Sequence, residues 1–110
     1  PIAGKQLIQK KLVDMITEIS KEQLLCVKIG ELMVSEKITY QQISMVKRNN
    51  VNVAQEIAKE ARQILGGMGI TNDTSIMRHM INLETLITYQ GTNEVHLLIT
   101  GRDITGIDAF

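Results

Sequence analysis

A chain of 110 residues makes one domain, long enough to close a modest core but small for an enzyme that works alone. Its 12 basic and 12 acidic residues cancel, which removes the electrostatic case for nucleic acid or an anionic membrane as partner. Apolar residues supply 44% and aromatics only 3%, with a single proline, an aliphatic makeup that suits helices packed on helices.

One cysteine, Cys26, excludes an internal disulfide, fits a reducing compartment and is expected to pack as a small apolar residue. No apolar run reaches the roughly 18 residues of a membrane span, and no secretory signal is visible. The sequence opens on Pro1 rather than methionine, so a piece of a longer chain is expected, with any targeting segment upstream.

A first helix is expected from Gln6 to about Ser35, a stretch without proline. Leu7, Ile8, Leu12, Met15, Ile16 and Ile19, then Leu25, Ile29, Leu32 and Met33, recur at helical spacing and form the expected buried stripe. Gly30 is a soft spot in it. Thr39 and Gln42 then spell a capping box for a second helix, with Ile43, Val46, Val53, Ile57, Ala61 and Ile64 inward. Asn50 interrupts that stripe and points to a polar neighbour. Gly66 and Gly67 end the helix where a left-handed residue is wanted.

Asp73 or Thr74 is the expected cap of a third helix that buries Ile76, Met80, Leu83 and Ile87 and breaks at Gly91. Gly91 or Thr92 opens a fourth, running to about Thr105 with Val95, Leu98 and Ile99 inward. Glu94 sits well for its positive N-terminal end. No strand survives, and the short connections imply an all-α, antiparallel up-down four-helix bundle.

Periodicity stops there, and local strings carry the rest. "KQLIQKKLVDMITEI" at 5–19, "KRNN" at 47–50, "ARQILGGMGI" at 61–70, "IMRHMINLE" at 76–84 and "TYQGTNEVHLLITGRDITGIDAF" at 88–110 agree in order and spacing. Together they resemble the C-terminal domain of the flavin-dependent acyl-CoA dehydrogenases, most like the glutaryl-CoA dehydrogenase branch, over essentially the whole chain. The resemblance implies that residues 1–110 are that helical domain, with further helical and β domains upstream. It implies FAD as cofactor, an acyl-CoA substrate, a homo-oligomer (dimer or tetramer), an electron-transfer flavoprotein as acceptor, and a bacterial cytoplasmic or mitochondrial matrix setting.

Members of this family remove two hydrogens across the α,β bond of an acyl-CoA thioester. A carboxylate takes the α-proton while the β-hydrogen leaves as hydride to FAD. The α-proton is weakly acidic, so the base must be held in line and partly desolvated. In most members it is the glutamate of a Tyr-Glu-Gly-Thr string, and Gln90 stands at that position here. An amide keeps the acid's shape and hydrogen bonding but lacks its basicity near neutral pH. Three readings stay open: a substitution that preserves the site without turnover, a base placed upstream of Pro1, or a different acyl-CoA task. Glu84 is a poor substitute, because six residues turn a helix through about 600° and carry it away from residue 90.

By resemblance, Tyr89 and Gly91 lie against the acyl-CoA, where a side chain at 91 would obstruct the thioester. Gln63, Ile64, Leu65, Gly66 and Gly67 match an FAD-contacting segment, in relatives often touching a neighbouring subunit's cofactor. Two glycines let a flat ring come close, although the same string is a plain helix C-cap on local grounds. Thr92 and Asn93 open a helix whose amides suit a diphosphate, and Gln6 and Phe110 match further FAD positions. Arg102 serves a phosphate or caps its own helix. His79, His96 and Cys26 have no metal-ligand spacing, so no metal site is expected. The alternative to a flavoenzyme domain is an inactive homologue or a non-enzymatic helical module whose apolar faces pack against a partner.

Overall fold

Thr39 starts the central helix as the sequence predicts. Its hydroxyl accepts from the Gln42 amide at 3.3 Å, and its own amide donates to Gln42 Oε1 at 3.0 Å. In the computed structural model, which describes residues 1–109, this helix, α2 (Tyr40–Ile64), packs against α1 (Gln6–Val34), α3 (Ile76–Thr88) and α4 (Asn93–Thr105). Short 3-10 turns occupy Ile2–Gly4 and Gly66–Ile70, and no strand occurs among the described residues.

Helix α1 meets α2 along one narrow seam. Its half-buried residues are Ile8, Lys11, Met15, Glu18, Glu22, Leu25, Ile29 and Leu32, spaced three and four apart in alternation. That is a 3.5-residue period, the seam of two long helices running side by side. Polar pairs fix the register: Lys11 Nζ lies 2.7 Å from Glu60 Oε2, and Asn49 Nδ2 donates to both Glu22 carboxylate oxygens at 2.8 Å. The pairing is antiparallel. Asn50 does meet polar partners: its amide nitrogen faces the Glu22 carboxylate and donates to the Val46 carbonyl at 3.1 Å. Cys26 is exposed rather than packed away.

The sequence stripe of α1 is therefore wider than the seam. Leu7, Leu12, Ile16, Ile19 and Met33, expected inward, face outward with Val13, Leu24, Val27 and Val34. The physical reason is that α2 alone lies along α1, and one helix covers only a strip of its neighbour.

Helix α2 ends on the expected left-handed glycine, with φ of 57° at Gly66. Neither Asp73 nor Thr74 caps α3; the capping position is Ser75, which makes no side-chain bond. Both candidates are spent inside the preceding loop, where Asp73 accepts from the Thr71 hydroxyl at 2.9 Å and the Thr74 hydroxyl donates to the Met68 carbonyl. Ile76, Met80, Leu83 and Ile87 are half-buried as expected. In α4, Leu98 and Ile99 turn inward, but Val95 is 46% exposed and His96, at 8%, takes the buried place. The chain is elongated, 50 × 27 × 24 Å with a radius of gyration of 16.9 Å, against about 13 Å for a compact chain of this size.

Candidate functional site

The turn between α3 and α4 is built from backbone conformations that ordinary residues avoid. Gln90 has φ of 56° and Gly91 φ of 91°, two successive left-handed residues between Tyr89, in extended backbone, and Thr92. A glutamine in that region is uncommon and persists only where its surroundings hold it. The holding groups come from two helices. Lys47 of α2 donates from Nζ to the carbonyls of Leu86 at 2.8 Å, Gly91 at 2.8 Å and Tyr89 at 3.3 Å. His96 Nε2 lies 3.2 Å from the Gln90 carbonyl, which can only accept, so Nε2 carries the proton.

Carbonyls 89, 90 and 91 thus point back into the domain, and the Gln90 side chain is exposed. Among the described residues, the amides of Gln90, Gly91 and Thr92 make no hydrogen bond to the protein, which leaves them free for an external acceptor. Gly91 is required twice over. Besides its φ, an added Cβ would lie 2.8 Å from His96 Nε2.

Thr92 is the cap of α4, accepting from the Val95 amide at 3.3 Å. Glu94 in that first turn has its carboxyl held below the usual range by its own backbone N–H and then by the Thr92 hydroxyl. Asn93 turns towards α2, its amide donating to Asn52 Oδ1 at 2.5 Å while its own Oδ1 is buried without a partner. Tyr89 is exposed and flanks the turn. Glu84 accepts from Gln55 Nε2 at 3.0 Å, engaged on α2.

The other residues singled out lie at the far end of α2. Sixteen residues separate Lys47 from Gln63, about 24 Å of helix. The register set by Lys11 against Glu60 and Glu22 against Asn49 carries Gln6 to the level of Leu65, so Gln6 and residues 63–67 lie at the same end of the helix pair. Gln63, Leu65, Gly66 and Gly67 are exposed there, with Ile64 half-buried. An added Cβ at Gly67 meets nothing within 4 Å and its φ is not positive, so nothing inside the chain demands glycine. Gly69 differs, because a Cβ there would collide with the Arg62 carbonyl. Gly66 and Gly67 leave bare, exposed backbone at this end. Arg102 pairs with Asp108 at 2.8 Å, tying the tail to α4. Phe110 lies outside the described residues.

Sequence reasoning singled out the turn but missed what holds it. Lys47 stood inside "KRNN" without a role, and His96 was weighed only as a metal ligand. A groove of about 600 Å³ between α1 and α2, lined by Ile19, Cys26, Val27 and Val53 among others, contains none of the singled-out site residues except the structural Cys26.

Residues 1–105 match the family model described as "Acyl-CoA dehydrogenase, C-terminal domain". The glutaryl-CoA dehydrogenase of Mycobacterium smegmatis superposes on the whole chain at 46% identity and a TM-score of 0.97. A second structure of a glutaryl-CoA dehydrogenase from that organism, in complex with FADH2, does so at 45% and 0.96. The short-chain specific acyl-CoA dehydrogenase of Megasphaera elsdenii is 34% identical over 92% of this chain. The chain spans about a quarter of such relatives, 26% of the Megasphaera enzyme and 28% of the mycobacterial one. The chain belongs to the FAD-dependent acyl-CoA dehydrogenase family and is like the C-terminal helical domain of its glutaryl-CoA dehydrogenases.

Proposed function

We propose that this chain is the C-terminal domain of a longer acyl-CoA dehydrogenase of glutaryl type, in which the turn at residues 89–91 faces the acyl-CoA and Gln90 occupies the place of the base. One observation carries the reading: an exposed residue-90 side chain on a left-handed turn whose three carbonyls are drawn inward by Lys47 and His96. Such a turn offers free amides and a bare glycine to a thioester, and it aims residue 90 away from the domain. Bound FAD supplies the hydride acceptor. Thr92, Asn93 and the N-terminal end of α4 suit its diphosphate, and Phe110 is a further candidate contact. Gln6 and residues 63–67, at the opposite end of α2, suit a different FAD, held mainly by a neighbouring subunit of a dimer or tetramer.

With an amide at 90, the α-proton has no acceptor on this turn. The reaction class stays α,β-oxidation of an acyl-CoA with electrons passed to an electron-transfer flavoprotein, in a bacterial cytoplasm or a mitochondrial matrix, and the step that fails is proton abstraction. The isolated domain, lacking the rest of the pocket, holds FAD poorly and turns nothing over. In the full-length protein, Gln90→Glu should raise dye reduction with acyl-CoA by about 10²- to 10⁴-fold, the range a positioned general base contributes. No gain would place the base elsewhere or change the task.

A second reading keeps the fold and drops the chemistry. The outward apolar residues of α1 favour it, since a helical module that associates through that face needs nothing at residue 90. Flavin-free full-length protein that binds no acyl-CoA would select it.

A further inference from the structure

Lys47 is a costly residue in its place. It is half-buried, and among the described residues no carboxylate lies within ion-pair distance of it. Taking an ammonium out of water without a counter-ion is unfavourable unless its donors are filled by good acceptors. Here an ammonium group with three hydrogens meets three carbonyls, those of Leu86, Tyr89 and Gly91, at 2.8, 3.3 and 2.8 Å. Leu86 belongs to the last turn of α3, where carbonyls lack helical partners and the dipole is negative. Tyr89 and Gly91 flank residue 90 on either side. The bonds reach across 39, 42 and 44 residues, so they tie the central helix to both shoulders of the left-handed turn.

Nothing in the packing of the bundle asks for this. An apolar residue at 47 would meet α3 without burying a charge, and a solvated lysine would cap nothing. The lysine is placed where the backbone conformation is least favourable by itself, at φ values of 56° and 91°. His96 completes the arrangement from α4 by donating to the one carbonyl, that of Gln90, which Lys47 does not take.

We propose that Lys47 is a positioning residue for acyl-CoA binding and turnover. It fixes the turn so that the residue-90 side chain and the amides of residues 90–92 are presented in one geometry. The role rests on the reading above that the turn faces the acyl-CoA. Displacement of a reacting group by about 1 Å costs of the order of 10²-fold in rate, which is why a pinned backbone matters at this point.

The test uses the full-length protein with Lys47→Met, which keeps the stem and removes the ammonium, and Lys47→Arg, which restores a cation and donors. Hydrogen–deuterium exchange by mass spectrometry reads the turn, and calorimetry with butyryl-CoA and glutaryl-CoA reads the site. Lys47→Met should speed exchange at least tenfold at the bonded amides that border the turn, those of Tyr89, Val95 and His96, and weaken binding of the preferred acyl-CoA at least tenfold. Exchange in α1 and in residues 53–64 of α2 should stay unchanged, and Lys47→Arg should recover part of both losses. In a Gln90→Glu background, Lys47→Met should lower kcat more than it raises KM. Unchanged exchange at Tyr89, Val95 and His96, an increase spread evenly over α2 to α4, or no recovery with arginine overturns the proposal. If the unaltered protein binds neither acyl-CoA, the reading of the site fails, and the exchange arm alone decides whether Lys47 pins the turn.

Discussion

At Gly91 a methyl group meets two obstacles, a φ of 91° and the His96 ring 2.8 Å from where a Cβ would sit. Gly91→Ala should therefore strain the turn by about 1–3 kcal/mol and weaken acyl-CoA binding in the full-length protein by tenfold or more, as calorimetry would show. Unchanged affinity would mean that the turn does not touch the ligand. His96→Ala removes the donor that, among the described residues, the Gln90 carbonyl has, and opens space beside Gly91, so in that background Gly91→Ala should do less harm than alone. These two residues also mark the limit of what the sequence discloses about the site. The string around Gln90 named the turn and its missing carboxylate. It gave no sign that His96 was buried, because a 3.6-residue pattern of apolar residues assigned the inward place to Val95. Lys47 was invisible for a different reason: its partners are backbone carbonyls about 40 residues away, and carbonyls have no sequence signature.

Among the elements, the ends of the helices were easier to read than their faces. The capping box at Thr39 is local chemistry and formed as expected; Thr39→Ala should cost about 1 kcal/mol, a roughly fivefold faster amide exchange in residues 40–43. The caps proposed for α3 failed because Asp73 and Thr74 had closer acceptors and donors in their own loop. Glu94 at the start of α4 gives a pH prediction. Its carboxyl is held low by its own amide and by Thr92, so the folded value lies below the ordinary one. Its support of the first turn is then fully present above the ordinary carboxylate pKa and fades as pH falls through the lowered value. Exchange in residues 93–96 should quicken on that acid limb, and Glu94→Gln should abolish the step by giving the quickened exchange already at neutral pH. The face of α1 misled because its stripe is continuous in sequence, whereas a single neighbouring helix covers only the residues at a 3.5-residue period.

Across the whole molecule, little is buried. Among the described residues only Val46 and Ala58 are buried apolar residues, while Leu7 is 77% and Val34 87% exposed. A chain so elongated and so apolar outside is shaped to be covered, in keeping with its spanning about a quarter of its relatives. Purified alone, residues 1–110 should be colourless and elute above the size of a 12.3 kDa monomer; stoichiometric flavin would show that this domain owns more of the pocket than its two separated groups of residues allow. Proton abstraction can be isolated from flavin chemistry. Full-length protein incubated with butyryl-CoA or glutaryl-CoA in deuterium oxide reports, by NMR, whether the acyl α-hydrogen is lost to solvent. With Gln90 no exchange above the uncatalysed rate is expected, and after Gln90→Glu exchange should be rapid. Rapid exchange by the unaltered protein would contradict that expectation.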